Sequence, residues 1–270
     1  MKHDYCDGIR LDKEVFYYKG LDFQSATIPS WERLIIDIPL LTKGWYELIL
    51  LDDSDRTALI KDIWLNCFTL FDIHKEILGI IDDFFNCLDS ICIYAFKTEM
   101  NVFSDLRMVY SLKGGNGFFQ GGPPFSGDIE AFFQKRFNQT FSPEYRAFFL
   151  LHDGFSLNDD GGIVSTKNLS RTYQRVRNRL ISDSSSYSFF AEDGFGLFPF
   201  YESVGLNEYQ CFLSDPEIVM GMGDASICVL DNDLNQVIEI LNGNRKFDES
   251  DGCHYRFLDW LTCYLKKGWR

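Results

Sequence analysis

The run Lys113-Gly114-Gly115-Asn116-Gly117-Phe118-Phe119-Gln120-Gly121-Gly122-Pro123-Pro124 constrains this chain more than any other stretch. Five glycines weaken any helix or strand, and two prolines remove two backbone donors. The run therefore predicts a turn or linker, 114–125, between an N-terminal region 1–113 and a C-terminal region 126–270. A phosphate-cradling loop is the chemical alternative, because N–H groups of Gly-rich turns bind anions. No Gly-Lys-Ser/Thr follows the glycines, so a nucleotide loop is excluded. At 270 residues the chain has room for one large domain or two ordinary ones. It is long enough to hold a core without disulfides or metals.

Charge excludes further classes. Forty acids stand against 26 bases, and the excess is even: residues 1–125 hold 12 bases and 19 acids, residues 126–270 hold 14 and 21. No basic arm or acidic tail is hidden in the total of −14. Nucleic acids and anionic membranes both need a basic face, so neither is an expected partner. An evenly acidic surface confers solubility, and it also steers a basic partner protein.

The eight cysteines, at 6, 67, 87, 92, 211, 228, 253 and 263, form no C-x-x-C pair and no dense framework. Cys67 and Cys228 sit inside apolar patterns, as reduced thiols do in a reducing compartment. The first residues lack the apolar stretch of a secretory signal. The most apolar region, 34–51, is broken by Asp37, Pro39, Lys43 and Glu47. A cytoplasmic protein without a membrane span is the expectation.

Periodicity places the elements. Leu59, Ile60, Ile63, Trp64, Cys67 and Phe68 recur at helical spacing over 54–68, with Asp53 or Ser54 as the cap. A second helix starts near Asp72 and runs to Leu88, and strands are expected at 90–97 and 106–112. In the C-terminal region Ser126-Gly127-Asp128 opens a helix whose Ile129, Phe132, Phe133 and Phe137 share a face. Ser142-Pro143-Glu144 opens another through Leu151, since Ser caps, Pro suits the first helical position and an acid suits the dipole. Asp153-Gly154 ends it. Strands are expected at 162–165, 196–200, 208–213, 226–230 and 236–241, the last two joined by the hairpin turn 231–235. A helix through Phe257, Trp260, Leu261 and Tyr264 closes the chain. The fold class is α+β, with helices on one face of an antiparallel sheet, plus a smaller α+β N-terminal region. The only basic cluster holds Arg171, Arg175, Arg177 and Arg179, which reads as a solvated helix face or a grip for phosphate or an acidic partner.

The segment Phe141-Ser142-Pro143-Glu144-Tyr145-Arg146-Ala147-Phe148-Phe149-Leu150-Leu151-His152-Asp153-Gly154, preceded by Ile129-Glu130-Ala131-Phe132-Phe133, resembles the opening of the SUKH superfamily. Its members include cell-wall-assembly-regulator domains and many bacterial toxin-immunity proteins. Gly162-Ile163-Val164, Leu197-Phe198-Pro199-Phe200-Tyr201, Ser226-Ile227-Cys228-Val229-Leu230-Asp231 and the 257–265 helix resemble its later elements. Two departures stand out: Ser142 displaces the proline, and Asp153 replaces the usual Asn. The resemblance covers about 126–266, with 167–193 as an insertion, and leaves 1–113 uncovered. It implies a non-enzymatic protein-binding scaffold, an immunity or adaptor protein masking a toxin or nuclease. Exposed acids beside the strands are the candidate contacts: Glu202, Glu208, Asp215, Glu217, Asp231 and Asp233.

Enzyme motifs are sparse. There is no Gly-x-Ser-x-Gly elbow and no His-Glu-x-x-His. Cys253 and His254 are adjacent and so point apart, and His152 suits a helix C-terminus. The run 231–235 begins like a calcium loop, but Gln236 and Asn242 stand where Gly and a bidentate Glu are needed. No catalytic residue, cofactor or metal is expected. The alternative is a small-molecule-binding or hydrolytic enzyme with a site between the two regions, because carboxylate pairs are formed only by the fold.

Overall fold

The computed structural model describes residues 10–11, 14–15, 17–20, 29–69, 71, 75–97, 103–115, 117–158, 160–182, 197–203, 205–213, 225–230, 239, 244 and 252–268. The expected hairpin 231–235 and nearly all of the expected strand 236–241 lie outside them. The chain forms two compact units, residues 1–124 with 266–270, and residues 125–265. Both combine helices with antiparallel strands, so the α+β class holds.

In the first unit a two-residue pair, β1 (Arg10–Leu11) and β2 (Glu14–Val15), precedes β3 (Tyr17–Gly20). Helices α1 (Trp31–Asp37), α2 (Lys43–Leu50), α3 (Asp53–Thr69) and α4 (Lys75–Asn86) follow, then β4 (Leu88–Lys97) and β5 (Phe103–Leu112). Helix α3 is capped one residue earlier than expected: the Asp52 carboxylate accepts from Asp55 N at 2.9 Å and Ser54 Oγ at 3.0 Å. These donors favour the ionised form and hold its pKa below the usual carboxylate value. The buried stripe of α3 is Arg56, Ile60, Trp64 and Phe68. Leu59 and Ile63 lie one position back, about 100° round the helix, and stay 44% and 42% exposed. Trp64 centres the core, packed on Phe68, Phe84, Phe85 and Tyr110, with its Nε1–H donating to Tyr110 Oη at 3.3 Å.

The glycine run is more than a linker. Gly114, Gly115 and Gly117 adopt positive φ and make a tight turn, closed by Leu112 N donating to Gly117 O at 3.0 Å. Phe118–Gly121 then forms β6, antiparallel to β5. Alternation sends Phe119 into the core against Phe84, and Phe118 to the opposite side with Cys92, Tyr94, Phe96 and Val109. Two adjacent phenylalanines, one for each face, outweigh the flanking glycines.

The second unit holds α5 (Ile129–Phe137), α6 (Pro143–Phe148), β7 (Phe155–Leu157), β8 (Gly162–Ile163), α7 (Thr166–Ser182), β9 (Leu197–Ser203), β10 (Glu208–Leu213), β11 (Ser226–Leu230) and α8 (Phe257–Lys266). Strands β7 to β11 pair antiparallel in chain order. Asp128 and Ser142 cap α5 and α6, accepting from Ala131 N at 3.1 Å and Tyr145 N at 3.2 Å. Helix α6 ends at Phe148, short of Leu151. Pro199 cannot donate to a ladder, and the β9–β10 register slips beside it, between Gln210 and Cys211. Tyr145 packs on Phe133, Phe141, Phe200, Phe212 and Phe257, so helices and sheet meet through aromatic rings.

Gly162 is required where it stands. Its φ is +69°, and an added Cβ would lie 2.2 Å from the carbonyl oxygen of Phe155. Gly162→Ala is therefore expected to lose at least about 2 kcal/mol in chemical denaturation, whereas Gly205→Ala, with open space around it, stays within about 1 kcal/mol.

Candidate functional site

Polar chemistry in the second unit concentrates where α6, α7 and α8 meet the strands. Glu144 is buried in the first turn of α6. Its carboxylate forms an ion pair with Arg256 and accepts from Leu258 N at 3.4 Å, at the N-terminus of α8. A carboxylate there satisfies an orphan donor and faces the positive end of the helix dipole. Asp153 does the same for α7: Thr166 N and Thr166 Oγ1 each donate to it at 2.6 Å. Both oxygens are used. Gly154, at φ +88° and with no room for a Cβ beside Ser165, lets the chain turn there.

Of the candidate contacts, Glu202 and Glu208 are described; Asp215, Glu217, Asp231 and Asp233 lie outside the described residues. Glu202 is not a free surface acid. Only 14% of its side chain is exposed; it pairs with Arg175 of α7 and accepts from Thr172 Oγ1 at 3.4 Å. One acid of the acidic set and one arginine of the basic cluster thus neutralise each other. Glu208 is half-buried at the start of β10, opposite Ser203. Tyr201 Oη donates to Asp160 Oδ2 at 3.0 Å. Burial pushes the Tyr201 hydroxyl far above its ordinary pKa, and the charges of Asp160 and Glu208 push it further. Asp160 and Glu208 therefore share one negative neighbourhood. Asp160 was missed in the sequence, where Asp159-Asp160-Gly161 reads as a plain polar turn.

Several groups able to act as nucleophiles are held in their neutral form by burial. Burial raises the hydroxyls of Tyr145 and Tyr264 and the thiol of Cys211, and lifts the Cys67 thiol to about 11. His152 is buried, its ring stacked on Phe155 at 5.4 Å. His254 serves through its backbone, which bridges Ser226 in both directions at 2.7 and 2.8 Å, while Cys253 is buried beside it. Among the described residues no group of three His, Cys, Asp or Glu side chains is placed to hold a metal ion. No helix among them is long and apolar enough to cross a membrane. No protein-family model, curated protein or solved structure matches the chain.

Two outcomes follow from this geometry. Glu144→Ala removes the carboxylate that pairs with Arg256 and caps the start of α8, and is expected to cost about 2–4 kcal/mol in denaturant titration. Iodoacetamide at pH 8 should alkylate exposed Cys263 before half-buried Cys67, with buried Cys211 reacting only after unfolding, as read by peptide mass spectrometry.

Proposed function

We propose that this chain is a non-enzymatic protein-binding scaffold of the cytoplasm, an immunity or adaptor protein of SUKH type that masks a basic partner such as a toxin or nuclease. One observation carries the reading. Among the described residues of the second unit, three carboxylates that catalysis could draw on are committed to holding elements together: Glu144 to α8, Asp153 to α7, Glu202 to Arg175. What remains at the β9–β10 end is negative potential around Tyr201, from Asp160 and Glu208, without an activated nucleophile. A negative surface of this kind attracts a cationic protein and speeds capture.

The tagged full-length chain is expected to co-purify with a stoichiometric basic partner at about 0.1 M salt and to release it as screening shortens the field. Glu208→Lys should weaken that complex about tenfold, read by calorimetry. If no partner is retained, and the chain turns over an ester, phosphodiester or peptide in a manner that Asp160→Ala abolishes, the scaffold reading is overturned.

A further inference from the structure

The net charge of −14 conceals a segregated basic face. Helix α7 carries five bases and no acid from Thr166 to Ser182. Its inner stripe is Leu169, Thr172 and Val176, all buried. At about 100° per residue the opposite side is centred on Lys167, Arg171, Gln174 and Asn178, and these four are exposed. Arg136, in the last turn of α5, donates from Nε to Ser170 Oγ at 2.9 Å, which brings exposed Lys135 and Arg136 beside this side of α7. No Asp or Glu occurs in 131–143 or 161–182, in a chain where acids outnumber bases.

Local structure explains some of these cations. Lys135 and Arg136 suit a helix C-terminus, and Arg175 pairs with Glu202. It does not explain Lys167, which sits in the first turn of α7, where the dipole disfavours a cation. Nor does it explain Arg171 and Arg177, which make no ion pair among the described residues. A solvated face built for solubility intersperses the two signs. This one excludes acids altogether.

We infer that the exposed face of α7, extended by the last turn of α5, docks an acidic segment of a partner protein. Exposed Lys167 and Arg171 stand four residues apart, about 6 Å along the axis. That spacing matches carboxylates at every fourth position of a facing helix, or on alternate residues of a strand at about 6.7 Å. Arginine forks take carboxylates bidentately, so the face selects as well as attracts. A nucleic acid fits less well. It carries a charge about every 1.7 Å and extends beyond the face into the acidic remainder of the chain, whereas a short acidic segment stays inside it. The one ring on α7 near this side, Tyr173, packs inward on Phe137 and Phe198 and offers no platform for a base. This surface goes beyond the scaffold reading: it takes a partner of the opposite charge and depends on other residues than Asp160 and Glu208.

The experiment uses the full chain and a fluorescent peptide with glutamate at every fourth position, with a glutamine version as control. At about 0.1 M salt the acidic peptide is expected to bind one to one, and more salt to weaken it. Lys167→Glu with Arg171→Glu should weaken binding at least about tenfold, because both side chains are exposed and both attractions become repulsions. An unchanged melting curve shows that the double variant is folded, and Glu208→Lys should bind the peptide as the parent does. Absence of acidic-peptide binding, equal binding by the double variant, or tighter binding of a short DNA duplex than of the peptide overturns the inference. Failure of the Glu208 test above leaves it standing, so the two readings fail separately.

Discussion

A buried carboxylate at the start of α6 decides how the second unit closes. Glu144 reaches Arg256 and the amide of Leu258, more than a hundred residues along the chain, and fixes the N-terminus of α8. Burying a charge is tolerable only when a counter-charge and donors meet it, so the carboxylate and α8 must arrive together. Once α8 is placed, Phe257 and Trp260 pack on Phe200, and Tyr264 Oη accepts from Leu157 N at 2.8 Å. Helix, strand and loop are registered against one another by that single polar anchor and the rings around it.

The first unit uses a cation in the same way. Arg56 is buried on α3 and donates to the carbonyls of Leu48, Leu51 and Ile91 at 2.9, 2.7 and 2.9 Å, and to Asp53 at 3.1 Å. Two of these carbonyls belong to the end of α2, whose last turn carries no base of its own. A guanidinium supplies enough donors to close a helix C-terminus and tie it to β4 at once. Each unit therefore pins a helix end with one buried ion of the sign that the dipole favours.

Much of this fold was legible because period and burial agree. The apolar spacing gave α3, α4 and α5, alternation gave β4 and β5, and Ser142-Pro143-Glu144 marked the start of α6 to the residue. The misses have physical causes. Arg56 continues the Ile60, Trp64, Phe68 stripe, but its charge disguises a core position. The glycines of 114–122 dominate a local reading, although Phe118 and Phe119 supply one apolar side chain to each face of a strand. Asp52 takes the cap because it, and not Asp53, reaches the amide of Asp55. For the candidate site, composition marked Glu202 and Arg175 as acidic and basic surface. Only the packing of α7 on β9 makes them a pair, since 27 residues separate them. Glu208 kept its place at a strand end, and Asp160 reaches Tyr201 of the neighbouring strand by a hydrogen bond that no spacing rule encodes.

The return of residues 266–268 to the first unit gives the order of events a direction. Residues 266–270 belong to the first unit, where Gly268 approaches so closely that an added Cβ would meet Phe119 at 2.5 Å and Leu112 at 3.0 Å. During synthesis the first 124 residues leave the ribosome long before that glycine does. The nascent N-terminal unit must wait, with Phe119 and Leu112 uncovered on one side, until residues 266–268 have been made and return to it. Completion of the first unit thus depends on synthesis through the second: a polypeptide cut between Leu265 and Gly268, with its second unit entire, would display an unfinished apolar seam to chaperones and proteases.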